Sequence, residues 1–162
     1  MRRRTKKSVK VVSIAAGLGA VAGLRSMMAP AVLALAVRRG WMRPQRGAAK
    51  VLRRGLTTRI TSAMAVGEMI VDALPIAPDR RIPPSLAWRI TSGALVGAAV
   101  ANSGHKPLAI GIVAGGAGAI AGTFAGSLLR RRLSEKMPST VAAVAEDAIA
   151  ASGGLLLARG IA

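Results

Sequence analysis

The sequence predicts an all-α fold, a polytopic transmembrane helical bundle of about five hydrophobic elements, and three observations carry that expectation. First, 52% of the 162 residues are hydrophobic, yet there are only two Trp, one Phe and no Tyr, so the apolar character comes from aliphatic side chains and Ala beside 19 Gly. A water-soluble core of this size draws on more aromatic bulk. Second, Pro107 to Leu129 is free of charge, which exceeds the roughly 20 residues needed to cross a hydrocarbon layer of about 30 Å. Third, the 24 Lys and Arg fall mostly between apolar stretches, six of them in the first ten residues and eight between Arg38 and Arg59. Basic flanks beside apolar spans follow the positive-inside bias and attract anionic headgroups.

The elements follow in order. A basic flank, residues 1–10, precedes a first element, Val11 to Val37, which contains Arg25 and Pro30. That stretch is too long for the apolar region of a signal peptide and is read as retained. It is also long enough to fold as two half-helices broken within "GLRSMMAP", a re-entrant hairpin. The second element, Ile60 to Ala77, holds Glu68 and Asp72; the third, Leu86 to Ser103, holds Arg89. Pro107 to Leu129 is the fourth, and Ser139 to Ala158, with Glu146 and Asp147, is the fifth. One membrane domain, 11–162, contains them all. If all five elements span, Lys and Arg in the loops nearly cancel between the two sides; a hairpin in the first element restores a bias.

Two motifs recur in order. "GAVAG" at Gly19 to Gly23 returns as "GAIAG" at Gly118 to Gly122, and "TSAMAVGE" at Thr61 to Glu68 returns as "STVAAVAE" at Ser139 to Glu146. This points to a duplication, with 11–77 and 107–158 as the copies and a connector helix over 86–103. If every element crosses, three elements separate the copies and the repeat is inverted, an architecture of secondary transporters. Gly19, Gly23, Gly118, Gly122 and Gly126 form small-residue stripes suited to close helix packing. Packing inside one chain is the simpler use of such a stripe, and a homo-oligomer face the other.

The acidic residues are the unusual feature. Glu68 and Asp72, four apart, share a helical face inside an apolar run, and Glu146 and Asp147 lie near the middle of theirs. Arg25 is the one central arginine, with Arg89 near the end of its element. An ionised group at such depth costs several kcal/mol unless it is paired, hydrated or protonated. Two uses follow: static ion pairing through Arg25 and Arg89, or a pathway for a proton or cation through Glu68, Asp72, Glu146 and Asp147.

The ordered set "GLRSMMAP", "GEMIVDALP", "RITSGALVGAA", "GAIAGTFAG" and "AEDAIA" resembles the membrane proteins of the domain of unknown function 4126, over about Gly23 to Ala150. The resemblance implies a multi-pass protein of a bacterial cytoplasmic (inner) membrane and marks Arg25, Glu68, Asp72, Arg89, Glu146 and Asp147 as motif-borne polar residues. It implies no activity. Ala73 stands where the family pattern often has Lys, which removes one internal counterion.

Other classes rank lower. Net charge of +18 suits nucleic acid in a soluble protein, but the chain lacks aromatic residues for base stacking, so no nucleic acid is expected. No cysteine is present, and the single His105 sits in a turn-like "NSGHKP". Nucleophile and phosphate-loop motifs are missing, which disfavours an enzyme, although Glu68 and Asp72 have a spacing suited to divalent metal. The leading expectation is a transporter or channel-like protein without a cofactor. A membrane scaffold that holds anionic lipid on its basic segment, Arg38 to Arg59, is the alternative.

Overall fold

The computed structural model describes residues 2–43, 54–73 and 82–161, and among these there are only helices. They are α1 (Arg2–Leu24), α2 (Met28–Arg38), α3 (Gly55–Ala73), α4 (Pro83–Ser103), α5 (Leu108–Ser134) and α6 (Ser139–Arg159). The expected first element is thus two helices, and α1 begins inside the basic flank. The other elements fall where hydrophobicity puts them, with α5 running on past Leu129 through three arginines. Residues 44–53 of the basic segment expected to hold anionic lipid lie outside the described residues; from Gly55 onward the chain is already α3.

The interruption comes at Arg25–Met27. Arg25 N–H still reaches Val21 O at 2.8 Å, then Met28 N–H turns to Arg25 O at 3.2 Å and α2 starts in a new direction. Contacts at the far ends show that the chain doubles back. Val11 of α1 touches Gly104, just after α4, while Arg43, just after α2, accepts a hydrogen bond from Ser103 at 3.4 Å. Trp41 lies beside Arg159 at the end of α6, and Ile14 lies against Gly160. The start of the apolar part of α1 and the end of α2 therefore share one end of the bundle, called here the Trp41 end. The break faces the other.

Glycine sets the centre. On α1, α4 and α5 the backbones meet with no side chain between them: Gly19 faces Gly115, Gly23 faces Ala119, Gly118 faces Ala16, Gly122 faces Ala20, Gly93 faces Gly115 and Gly97 faces Gly111. A Cβ at any of these six glycines would collide with a carbonyl oxygen across the interface. Gly126 is buried in α5 as well. The stripes foreseen in the sequence are thus used inside one chain, where small residues let helices approach closely enough for extensive dispersion contact.

The inverted repeat is not what these contacts describe. Going up α1 the partners also go up α5, so the two helices are parallel. The offset that superposes "GAVAG" on "GAIAG" carries the contact Gly19–Gly115 onto Ala16–Gly118 and Gly23–Ala119 onto Ala20–Gly122. That is a two-fold relation about an axis along the helices. The break accounts for the parallel course: the first element returns to its own end, so α1 and α5 start from the same end of the bundle.

The interior combines an aliphatic core with small and charged residues, and large aliphatic side chains also lie outside. Ala and Gly fill much of the interior together with Arg25, Arg89, Glu146 and Asp147, while Ile70, Leu95, Val113, Val144 and Leu156 are each 50% or more exposed. Among the described residues α5 and, from Thr140, α6 are long and apolar enough to cross a membrane; Ser8–Leu24 and Met28–Arg38 are apolar but shorter.

Gly122→Leu places a branched side chain on the Ala20 carbonyl and should destabilise the protein by about 1–3 kcal/mol, the scale of core overpacking. Gly153→Leu, where a Cβ meets open space, should leave thermal unfolding in detergent close to the parent. Equal midpoints for the two variants would contradict the packing described.

Candidate functional site at the helix break

The end of one helix and the start of another leave unpaired carbonyls and N–H groups that carry opposite partial charges. Here both sets are met by side chains from elsewhere. Arg89 of α4 donates from Nη1 to the carbonyls of Gly23 at 2.9 Å and Leu24 at 2.8 Å, a cation at the negative end of α1. Glu68 of α3 does the converse. Its Oε1 accepts from the backbone N–H of Ser26 at 2.8 Å and from Ser26 Oγ at 2.7 Å, and its Oε2 accepts from Met27 N–H at 2.8 Å, an anion at the positive end of α2.

The remaining groups are satisfied in the same manner. Ser92, one turn beyond Arg89 on α4, donates to the Ser26 carbonyl. Thr123 of α5 donates to Ala119 at 2.8 Å and lies 3.3 Å from the Gly23 carbonyl. Arg25 itself points toward α6, where its Nε donates to Asp147 Oδ1; both side chains are more than nine-tenths buried. Neighbouring Glu146, fully buried, lies 4.0 Å from Nη1 of Arg130 at the end of α5. Arg89 Nη2 and Glu68 Oε1 are 3.7 Å apart.

The structure thus gathers Arg25, Glu68, Arg89, Glu146 and Asp147 from the break and three helices into one region. The side chain of Asp72 lies outside the described residues. In the sequence Arg25 is the one central arginine; in the structure two more reach these carboxylates. Arg89 reaches in from α4, and Arg130, which follows the charge-free stretch directly, reaches back along its aliphatic stem. Glu68, Glu146 and Asp147 therefore each have a guanidinium within 4.0 Å.

Sequence reasoning missed Ser26, Ser92, Thr123 and Arg130. Ser26 and Ser92 sit inside the quoted motifs "GLRSMMAP" and "RITSG", so their hydroxyls were in view, but their use depends on where the helix breaks. Among the described residues no three His, Asp or Glu side chains are grouped to hold a metal ion. Chemically the arrangement can bind charge of either sign or exchange a proton at a carboxylate, since donors and acceptors alternate around an interruption with no regular backbone pairing.

The family model described as a domain of unknown function, DUF4126, matches residues 12–159 of this chain. No curated protein and no solved structure matches it.

The Arg25–Asp147 pair gives a quantitative expectation. Asp147→Asn leaves a buried guanidinium without its countercharge and should cost about 3–5 kcal/mol. Combining it with Arg25→Gln should cost less than the two single changes together, because the first substitution has already removed the interaction. Strict additivity in a thermal-unfolding cycle would show that the two side chains do not act as a pair.

Proposed function

The chain belongs to the family of the domain of unknown function 4126, which assigns no activity, and we propose from its site that it is a small multi-pass membrane protein with a transporter or channel-like role. The observation that carries this reading is the discontinuous helix at α1–α2, whose opposed ends meet charged side chains from other helices inside the bundle. In secondary transporters such half-helix ends form the substrate and ion site, and lipid tolerates irregular backbone only where protein or a water-lined cavity surrounds it. Glu68 is the residue most able to exchange a proton or cation, since it is the least buried of the three ion-paired carboxylates.

The exposed large aliphatic side chains support the bilayer as solvent. A re-entrant α1–α2 hairpin also gives the charge bias that five full spans do not. Sixteen Lys and Arg, those of 1–10 and 38–59 with Lys106 and Arg159, then share one side, against six at Arg80, Arg81, Arg130, Arg131, Arg132 and Lys136. By the positive-inside bias this supports a cytoplasmic Trp41 end in a bacterial inner membrane. The two-fold contacts of α1 with α5 support a parallel duplication within this architecture.

A second reading, a membrane scaffold without flux, is favoured by one observation: Glu68, Glu146 and Asp147 each already have an arginine beside them. Static pairing of that kind holds helices in register and moves nothing.

Two measurements test the proposal. Single cysteines at Ser8, Arg43 and Ser134 in this cysteine-free chain should react with an impermeant thiol reagent from one side at Ser8 and Arg43 and from the other at Ser134; opposite sides for the first two would rule out the hairpin. In liposomes screened for proton, monovalent and divalent cation flux, the parent should conduct one of them and Glu68→Gln should fold yet lose at least about tenfold in rate, the cost of one charged hydrogen-bonding group. No flux of any ion with folded protein would leave the scaffold reading in place.

A further inference from the structure

The Trp41 end carries a second arrangement that the break does not use. α2 closes at Gly40, whose φ of 74° is left-handed; Gly40 N–H returns to Val37 O at 3.1 Å and Trp41 N–H to Ala36 O at 2.9 Å. This left-handed cap folds the chain back and sets the indole, half-buried, against the hydrophobic core. Two guanidiniums lie over that ring, Arg39 with its Cζ 5.9 Å from the centroid and Arg159, at the end of α6, at 5.3 Å. Both arginines are exposed on their outer sides, as are Lys10, Arg38 and Arg43.

Among the described residues neither Arg39 nor Arg159 forms an ion pair with an acidic side chain. The sequence has no Asp or Glu before Glu68 and none after Asp147. Of the described acids, Glu68, Glu146 and Asp147 are held at the break and Glu135 lies at the opposite end. Two like charges over one indole repel each other, and the ring quadrupole offsets only part of that. An anion held between the two guanidiniums would relieve that repulsion.

We infer that Arg39, Trp41 and Arg159 form a headgroup site for an anionic phospholipid, whose phosphodiester bridges the two guanidiniums. The guanidinium fork matches phosphate oxygens in pairs, and an indole fixed at the end of an apolar bundle sits at headgroup depth. Beside it Leu156, three residues before Arg159, and Val9 and Val12 of α1 are exposed apolar side chains placed to meet acyl chains. A lipid fits this combination better than an acidic protein partner, because the charged pair and the apolar surface adjoin each other. The inference rests on the membrane reading above but not on transport.

The test uses the full chain in detergent with Trp88→Phe, so that Trp41 alone reports. Titration with phosphatidylglycerol should change the indole fluorescence saturably, and phosphatidylcholine should not. Arg39→Gln and Arg159→Gln should each weaken the response by about fivefold, the size expected for one basic residue near an anionic surface, while Arg131→Gln at the opposite end should leave it unchanged. Equal responses to both lipids, or an equal loss with Arg131→Gln, would overturn the site. Saturation by inorganic phosphate alone, or by an acidic peptide but not by phosphatidylglycerol, would overturn the lipid as its occupant. Failure of the chain to reconstitute into liposomes is a separate result and counts against the membrane reading itself.

Discussion

A helix that stops inside an apolar bundle exposes carbonyls and N–H groups where water cannot reach them, and each one left unmet costs on the order of a few kcal/mol. The architecture of this chain follows from meeting that demand at Leu24–Met27. Arg89 answers the carbonyl end and Glu68 the N–H end, each with the charge the helix dipole prefers. α3 and α4 must therefore lie where their side chains reach the same few residues, and α6 must present Asp147 to Arg25. The break organises the helices around it.

The ion pairs and the glycines divide the task. A buried pair recovers roughly what its desolvation costs, so it adds little net stability while penalising any arrangement that separates it. Stability comes from elsewhere, from the backbone contact of α1, α4 and α5 that glycine permits. α3 is held differently: among its described residues only Thr58 and Ala65 are buried, and Glu68 supplies its polar tie to the break. A rigid three-helix centre thus carries a more lightly attached helix that bears the carboxylate at the junction.

Much of this was legible in the sequence because it rests on composition and spacing. The charge-free run of α5, the glycine stripes, the motif-borne charges and the fragile "GLRSMMAP" are local signals, and each corresponds to a local physical need. The pairing of Arg25 with Asp147 was not legible, since it joins residues 122 apart through a tertiary arrangement that no spacing encodes. Arg130 was hidden for another reason: counted by position it is a flank, and only the length of its side chain brings it to Glu146. The relative direction of α1 and α5 turned on one undecided element. With the first element taken as a span the two helices run in opposite senses, and with the chain turned back at Arg25 they run parallel, so a single local break sets the course of helices far apart in sequence.

If the bundle sits in a bilayer, as proposed, the distance in sequence between Arg25 and Asp147 has a consequence for how the protein is made. The ribosome delivers the arginine first, then Glu68 and Arg89, and the aspartate only with the final helix. Until then the first hairpin holds a cation that hydrocarbon penalises by a few kcal/mol, so it has reason to linger at the membrane surface or against the insertion machinery. Arrival of α6 removes that penalty and lets the hairpin settle. The last segment synthesised thereby acts as the check on the first, and a chain truncated before Asp147 would keep its opening helices from reaching their final depth.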